Sequence, residues 1–189
     1  MKALPVLLLS AAVGFSAGCL VRSVHPWLPD ETRVSEPVLS GSWQDAKEKT
    51  TFCFTGAPPE YQVGMTVDGK EGGHFTAALH RIGDTLLLVA GPADPAGQDG
   101  LALLPAYILL KAVPEGDTLR LYNVDLETFG ERAAAAQVPR LAGGSTSDGY
   151  VLTGTSAESE AFLRARLAEP GFFAAEPLYS LEKQPAAGP

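Results

Sequence analysis

The stretch Tyr61-Gln62-Val63-Gly64-Met65-Thr66-Val67-Asp68-Gly69 decides the fold class, because apolar residues alternate along it with polar or small ones. A period of two is the side-chain period of a strand that buries one face and exposes the other. Asp68-Gly69 is a turn dipeptide, and Phe75, Ala77 and Leu79 continue the buried face after it. The sequence therefore predicts an antiparallel hairpin with Tyr61, Val63, Met65 and Val67 on its inner side.

The same pattern extends outward from this hairpin, from Val38 to about Asp125, as short apolar runs separated by Gly, Pro and Asp. Two similar turns, Ile82-Gly83-Asp84-Thr85 and Glu115-Gly116-Asp117-Thr118, each precede an apolar run. Regularly spaced strands with turn residues between them are typical of a meander of hairpins. The middle of the chain is therefore predicted to be an antiparallel sheet.

The pattern changes after Asp125. Leu126 to Gln137 is rich in Ala and predicts a helix, which Pro139 ends. Thr155-Ser156-Ala157-Glu158 has the spacing of a capping box and predicts a second helix with an apolar stripe of Phe162, Leu163 and Leu167. A short strand over Tyr150 to Thr153 and a last strand from Phe172 to Leu181, broken by Pro177, complete the prediction.

Leu39-Ser40-Gly41-Ser42-Trp43, at the start of the first predicted strand, resembles the Gly-x-Trp signature of lipocalins and related calycin barrels. In those barrels the Trp closes one end, and the Gly lets the backbone approach closely. The resemblance implies an antiparallel barrel, and together with the predicted helices, of which two are more than that fold requires, it gives a mostly β fold: a lipocalin-like barrel or half-barrel with one or two C-terminal α-helices. The alternative for Trp43 is an ordinary core aromatic near a strand start.

The N-terminus has the features of an export signal. Lys2 gives a positive start, and Ala3 to Phe15 is an apolar stretch too short to span a bilayer. The following Phe15-Ser16-Ala17-Gly18-Cys19 resembles a bacterial lipobox. We therefore expect residues 1–18 to be removed as a signal peptide and Cys19 to be lipidated with acyl chains such as palmitate, which anchor the protein to a membrane.

An alternative cleavage stays open, because lipoboxes usually have Leu at the position of Ser16. Ordinary signal-peptidase cleavage after Ala17 or Gly18 would give a soluble secreted or periplasmic protein. By analogy with lipoproteins, Leu20 after the cysteine favours the cell outer membrane, facing the periplasm. The leader, the Gly-x-Trp strand and the late helix together resemble a group of uncharacterised proteobacterial lipoproteins, for which no activity can be transferred.

Composition limits the partners. The 189 residues carry a formal charge of −8, and loss of Lys2 with the leader makes it −9. An acidic chain without a basic stripe has nothing to release counterions from nucleic acid, so no nucleic-acid partner is expected. It also has no polybasic segment for anionic lipid heads, so membrane attachment must come from the acyl chains.

The sequence contains few candidates for chemistry. Cys53, between Phe52 and Phe54, is expected to be a buried and inert strand thiol. His74 and His80 would lie roughly 20 Å apart along one strand face, too far to share a metal, and are expected on the surface. No catalytic residue, metal site or cofactor is predicted, because no nucleophile-elbow, phosphate-loop or dinucleotide motif is present.

The sequence thus divides into a signal peptide (1–18), a lipidated extended tether (19–37) in which Pro26, Pro29 and Pro37 discourage regular structure, a β-rich domain (38–183) and a disordered tail (184–189).

We expect a non-catalytic envelope lipoprotein. The apolar strand face predicts a small apolar ligand inside the barrel, held by Trp43, Tyr61, Met65, Phe75 and Leu79. The alternative is an envelope adaptor that binds a protein partner through an exposed face or the loop from Gly91 to Gly100.

Overall fold

Successive hairpins build the wall of a barrel. The structure, a computed structural model, describes residues 20–93, 106–142 and 149–185. The strands in these residues are β1 (Val21–Ser23), β2 (Gly41–Asp45), β3 (Thr50–Ala57), β4 (Glu60–Val67), β5 (Lys70–Ile82), β6 (Thr85–Pro92), β7 (Tyr107–Glu115), β8 (Thr118–Asn123), β9 (Arg140–Ala142), β10 (Tyr150–Leu152) and β11 (Tyr179–Lys183). The helices are α1 (Leu126–Ala135) and α2 (Ser156–Arg166).

Eight of these strands form a closed antiparallel barrel. Strands β2 to β7 each pair with the next strand in sequence, and β11 fits between β8 and β2. The pairing of β6 with β7 completes the ring. The prediction of an antiparallel barrel or half-barrel followed by one or two helices is confirmed. The barrel is closed, and two helices follow β8.

The hairpin of β4 and β5 forms with the predicted turn at Asp68-Gly69. Asp68 and Gly69 have φ of 51° and 74°, and positive φ at both central residues is what the favoured two-residue hairpin turn requires. Val67 pairs with Lys70 directly across this turn. Tyr61 and Val63 face inward and are buried, as predicted, whereas Met65 and Val67, nearer the turn, are only half-buried.

An inner core fills the barrel, and all eight barrel strands contribute to it. Its buried strand residues are Trp43, Phe52, Phe54, Tyr61, Val63, Ala77, Leu79, Leu86, Leu88, Leu110, Ala112, Leu119, Leu121 and Leu181. Leu39, from the turn before β2, joins them and is fully buried. The inward face is thus apolar around the whole ring.

A second, outer core lies on the outside of the same wall. In β6, Leu86 and Leu88 point into the barrel, while Leu87 and Val89 belong to the outer core. In β7, Leu110 is inner and Leu109 is outer. An uninterrupted apolar run is the pattern of a strand that is buried on both faces. The outer face of this part of the barrel therefore needs a covering layer.

The first part of that layer is a segment that we call the N-terminal strap, residues 21–39. It contributes Val21, Trp27 and Leu28 to the outer core, each at most 3% exposed. The predicted extended tether over 19–37 is therefore wrong for this segment, and the folded domain begins at β1 instead of Val38. Three prolines do prevent a long helix or strand, but an irregular chain packs on a barrel as well as a regular one does.

Backbone hydrogen bonds hold the strap in place. Val24 N–H donates to Leu152 O at 3.0 Å, and Val34 N–H donates to Leu79 O at 2.9 Å. β1 pairs with β7 through Ser23 and Tyr107 and runs parallel to β10. The strap is thus bonded to the barrel wall at both ends.

The two helices complete the outer layer and match their predictions. Asp125 caps α1 by accepting from Thr128 N–H at 2.9 Å. Thr155 and Glu158 form the predicted capping box of α2. Phe129 of α1 and Phe162 of α2 are buried in the outer core, and Trp27 of the strap meets Phe129 edge-on at 6.3 Å between centroids. The strap therefore contacts the helical layer as well as the barrel.

The C-terminal strand differs from its prediction. β11 begins at Tyr179, after Pro177, because proline has no N–H to donate to a ladder. Phe172, earlier in the predicted strand, is buried in the outer core instead. The predicted tail starts at Gln184, whose N–H still donates to Ser42 O at 2.8 Å, and residues 186–189 lie outside the described part of the chain.

Replacement of Trp27 tests whether the strap belongs to the folded core. Trp27→Ala removes a fully buried indole, so we expect a loss of about 4 kcal/mol in the free energy of unfolding, measured by urea denaturation. His25→Ala, at an exposed position of the same segment, is the control and should change it by less than about 0.5 kcal/mol. Equal midpoints for the two variants would mean that the segment is a tether after all.

Candidate functional site

The five predicted ligand-binding residues do come together. Trp43, Tyr61 and Leu79 are fully buried in the inner core, and Met65 and Phe75 are half-buried against it. They lie on β2, β4 and β5, whose inward faces meet inside the barrel. Sequence alternation placed Tyr61, Met65, Phe75 and Leu79 on one face, and the resemblance to the Gly-x-Trp signature added Trp43.

The polar atoms of this cluster are already engaged. Trp43 Nε1–H donates to Leu39 O at 2.8 Å, and the Tyr61 hydroxyl donates to Glu36 O at 2.6 Å. Burial, the largest cause, raises the pKa of Tyr61 above its ordinary value, so the phenol keeps this proton. Both side chains therefore tie the strap to the barrel, and a ligand held between the five residues stays a prediction.

A cleft of about 220 Å³ lies elsewhere, between the strap and the outer side of β5, β6 and β7. We call it the strap cleft. None of the five predicted ligand residues lines it. Its apolar walls include Pro26, Leu28, Ala78, Val89, Pro92 and Tyr107. Its polar edge is formed by Arg33, Glu60, Thr76 and His80.

A close backbone approach positions one wall of the strap cleft. The Tyr107 ring lies against Gly91 so closely that a Cβ there would fall 2.5 Å from two ring carbons. Trp27 Nε1–H donates to Tyr107 O at 3.1 Å. Tyr107 is therefore held from both sides, by β6 and by the strap.

The Arg33 guanidinium is shared between two carboxylates at the polar edge. Its Nη2 lies 2.9 Å from Asp30 Oδ1, and its Nη1 lies 3.0 Å from Glu60 Oε2. Its Nε is buried, with no hydrogen-bond partner among the described residues. One positive charge thus faces two negative ones, and the net charge of the trio is negative.

His80 corrects a prediction made from the sequence. It was expected on the surface, but the residue is 2% exposed. Alternation along β5 does put it on the outer face, opposite Leu79, but the strap covers that face. His74, six residues earlier on β5, is exposed as predicted. The sequence predicted the correct strand face for His80, but it did not predict that the strap covers this face.

The strap also determines the protonation of His80. Burial, followed by the nearby Arg33 guanidinium, lowers the pKa of His80 to about 4, against the opposing effect of Asp30. Its Nδ1 lies 2.7 Å from the Thr32 hydroxyl, which is also 2.8 Å from Pro29 O. The imidazole is therefore neutral near pH 7.

Cys53 corrects another prediction. It was expected to be a buried thiol, but the structure exposes it. Phe52 and Phe54 point into the barrel, so period two places the residue between them on the outer face of β3. Apolar sequence neighbours misled the interpretation, because on a strand the nearest neighbours share no face.

Cys19 and the leader lie outside the described residues, as do residues 94–100 of the loop proposed for adaptor binding. In the described ranges, no three His, Cys, Asp or Glu residues are grouped to hold a metal, and no helix is long and apolar enough to span a membrane. The exposed large apolar side chains found there are Leu141 and Leu178, and isolated exposed leucines are ordinary on a soluble surface.

Sequence reasoning missed the strap cleft, although two signals pointed to it. Trp27-Leu28, between two prolines, is an apolar pair that a solvated tether does not need. Leu86-Leu87-Leu88-Val89 requires burial on both faces of β6. Comparison with protein-family models, curated proteins and solved structures finds no match to this chain.

The buried histidine predicts a specific acid sensitivity. The pKa of His80 is about 4 in the folded protein and 6.5 when unfolded, so the unfolded state binds more protons between these values. The free energy of unfolding should be unaffected by His80 above pH 6.5 and should lose on the order of 3 kcal/mol as pH falls to about 4. Urea denaturation of wild type and His80→Asn across this range measures the effect as a difference.

Asparagine is chosen because its side-chain amide can still donate to Thr32, as Nδ1–H does, while it cannot titrate. His74→Asn, the same change at an exposed position of β5, is the control and should follow the wild type. If all three proteins lose stability in parallel, the histidine is not held neutral by its surroundings.

Proposed function

We propose that this protein is a lipid-anchored, non-catalytic cell-envelope protein that holds a small, largely apolar ligand in the strap cleft. The observation that carries the proposal is the cleft itself, a space of about 220 Å³ whose lining combines apolar side chains with the polar groups of Arg33, Glu60, Thr76 and His80. Sites for drug-sized molecules are usually larger, about 300–1,000 Å³, and more apolar. A small molecule or part of a lipid chain fits the space.

The position of the strap supports a link between anchor and cleft. Only Leu20 separates Cys19 from β1, and successive Cα atoms lie about 3.8 Å apart, so a lipidated Cys19 would be within about 8 Å of the domain. β1 pairs with β7 at Tyr107, a wall of the cleft. On this proposal the domain lies against the outer membrane, on its periplasmic face, with the cleft near the lipid.

The hydrogen bonds around His80 favour binding over catalysis. A general base would take the proton of a neighbouring hydroxyl, and Thr32 is the hydroxyl beside it. Thr32 Oγ1 has a carbonyl acceptor, Pro29 O, for its only proton, so it meets the ring as an acceptor. The pair is therefore arranged to hold the strap, and it does not activate Thr32 as a nucleophile.

The adaptor alternative has less support among the described residues. It requires an apolar surface patch, and the exposed Leu141 and Leu178 are single side chains on different strands or loops. The ligand-holding proposal has a formed space to occupy. We therefore prefer it.

Lipid attachment is tested at Cys19. Cells that express the protein are given a fatty acid with an alkyne tag, and the purified protein is assayed for the tag and by mass spectrometry of its N-terminal peptide. We expect label in the wild type and in Cys53→Ser, the control at the other cysteine, and none in Cys19→Ser. An unmodified N-terminus produced by cleavage after Ala17 or Gly18 would show instead a soluble exported protein.

Ligand binding is tested with 1-octanol as the probe. The chain contains two tryptophans, Trp27 beside the strap cleft and Trp43 in the barrel, so a 5-fluorotryptophan-labelled protein gives two ¹⁹F resonances. Both cores are built from residues 21–181, so residues 19–189 with Cys19→Ser provide a soluble folded sample. Titration should move the Trp27 resonance in a saturable way. A spectrum unchanged up to the solubility limit would overturn the proposed function.

A further inference from the structure

The structure carries an inference about which ligands the strap cleft selects, and it rests on the proposed function. We propose that the cleft prefers a neutral molecule with an apolar body and one hydrogen-bond donor, such as an alcohol, a phenol or an amide, which donates to Nε2 of His80. Fatty-acid anions of the same length are disfavoured.

The first step is the tautomer of His80. A hydroxyl has one proton, and Thr32 Oγ1 lies 2.8 Å from Pro29 O, which can only accept. The contact of 2.7 Å between Thr32 Oγ1 and His80 Nδ1 must then use the proton of the ring. A neutral imidazole has one N–H, so Nε2 carries a lone pair and acts as an acceptor.

The second step is that Nε2 of His80 has no hydrogen-bond partner among the described residues, where Nδ1 is the bonded ring nitrogen. The side chain as a whole is almost buried, and it lines the cleft. Nε2 is not one of the fully buried atoms that lack a partner, so it stays accessible, and a donor that enters the cleft can bond to it.

The third step is the charge at the polar edge. Asp30 and Glu60 already occupy the Arg33 guanidinium at 2.9 and 3.0 Å. A carboxylate ligand would meet two like charges and the lone pair of Nε2, while the one unpaired donor of Arg33, its Nε–H, is buried. Burial keeps the ring uncharged near pH 7, because it lowers the pKa of His80 to about 4. An anion is therefore opposed by every charged group at this edge except Arg33.

The fourth step concerns the body of the ligand. Leu28 and Pro26 of the strap face Ala78 and Val89 of the barrel wall across the cleft. These side chains offer only apolar contacts, which stabilise a ligand in proportion to the apolar area it buries. The apolar side chains thus favour a hydrocarbon body, while Arg33, Glu60 and His80 select the polar group of the ligand.

The experiment compares three probes with the same eight-carbon chain: 1-octanol, octyl methyl ether and octanoate. Octanol has a donor, the ether only an acceptor, and octanoate a negative charge. Affinities are measured at pH 7.5 from the Trp27 ¹⁹F resonance of the labelled protein. We expect octanol to bind at least about tenfold more tightly than either of the others, the difference that one hydrogen bond to a buried polar group makes.

Two variants test the role of Nε2. His80→Asn retains a donor for Thr32 but has no atom at the position of Nε2, so the octanol preference should fall to less than about threefold. His80→Gln reaches the Nε2 position with its side-chain carbonyl, so it should retain a preference for octanol. His74→Asn is the matched control and should behave as the wild type. Two dispersed ¹⁹F resonances show that each variant is folded.

The outcomes separate this inference from the proposed function. Equal affinity for the three probes at the Trp27 resonance would overturn donor selection and leave ligand holding in place. Movement of the Trp43 resonance instead of Trp27 would place the ligand in the barrel and overturn the cleft assignment, with ligand holding again retained. The absence of binding by any probe would overturn both.

Discussion

The packing of β6 and β7 against apolar residues on both faces is the constraint on which the rest of the structure depends. Leu86 and Leu88 fill the barrel, and Leu87 and Val89 on the same strand would be left in water without cover. Burial of a leucine side chain is worth about 1.5–3 kcal/mol, so an uncovered outer face would forfeit several kcal/mol. The strap and both helices supply that cover. A closed barrel alone would be complete in its hydrogen bonding and incomplete in its hydrophobic burial.

The strap cleft is a consequence of how that cover is made. Ala78 on the barrel wall has a small side chain, the Tyr107 ring covers Gly91, and Pro26 and Pro29 restrict the backbone of the strap. A chain with fixed φ angles cannot collapse into the gap as a flexible loop can. Larger side chains fill the outer core on either side, with Trp27 and Phe129 in edge-on contact. The space is therefore an outcome of rigid and small residues facing one another.

The sequence patterns correctly predicted the features that depend on contacts within one strand or helix, or between the two strands of a hairpin. Asp68-Gly69 identified its turn, Thr155 and Glu158 identified the start of α2, and alternation placed Tyr61, Val63 and Leu79 in one core. The strap and the burial of His80 were not predicted, because both depend on contacts between residues far apart in the chain. Thr32 and His80, which meet at 2.7 Å, are separated by 48 residues. Cys53 is different, since alternation predicts its exposure and only its aromatic neighbours suggested otherwise.

The packed strap also changes what a lipid at Cys19 would do. A solvated tether of 18 residues would let the domain move several nanometres from a bilayer, whereas an anchor one residue from β1 holds it at the surface. Without residues 1–18 the chain would carry a formal charge of −9, so an anionic surface would repel it and contribute nothing to its orientation. On the proposed lipid attachment, orientation would follow from the covalent link beside β1 and from the pairing of β1 with β7. That arrangement would keep the strap cleft close to the hydrocarbon phase, where neutral apolar molecules with a single hydroxyl or amide partition and where carboxylate anions stay at the headgroups. The membrane would therefore select neutral apolar ligands through their solvation. The cleft would select the same ligands through a hydrogen bond to the lone pair of His80 Nε2.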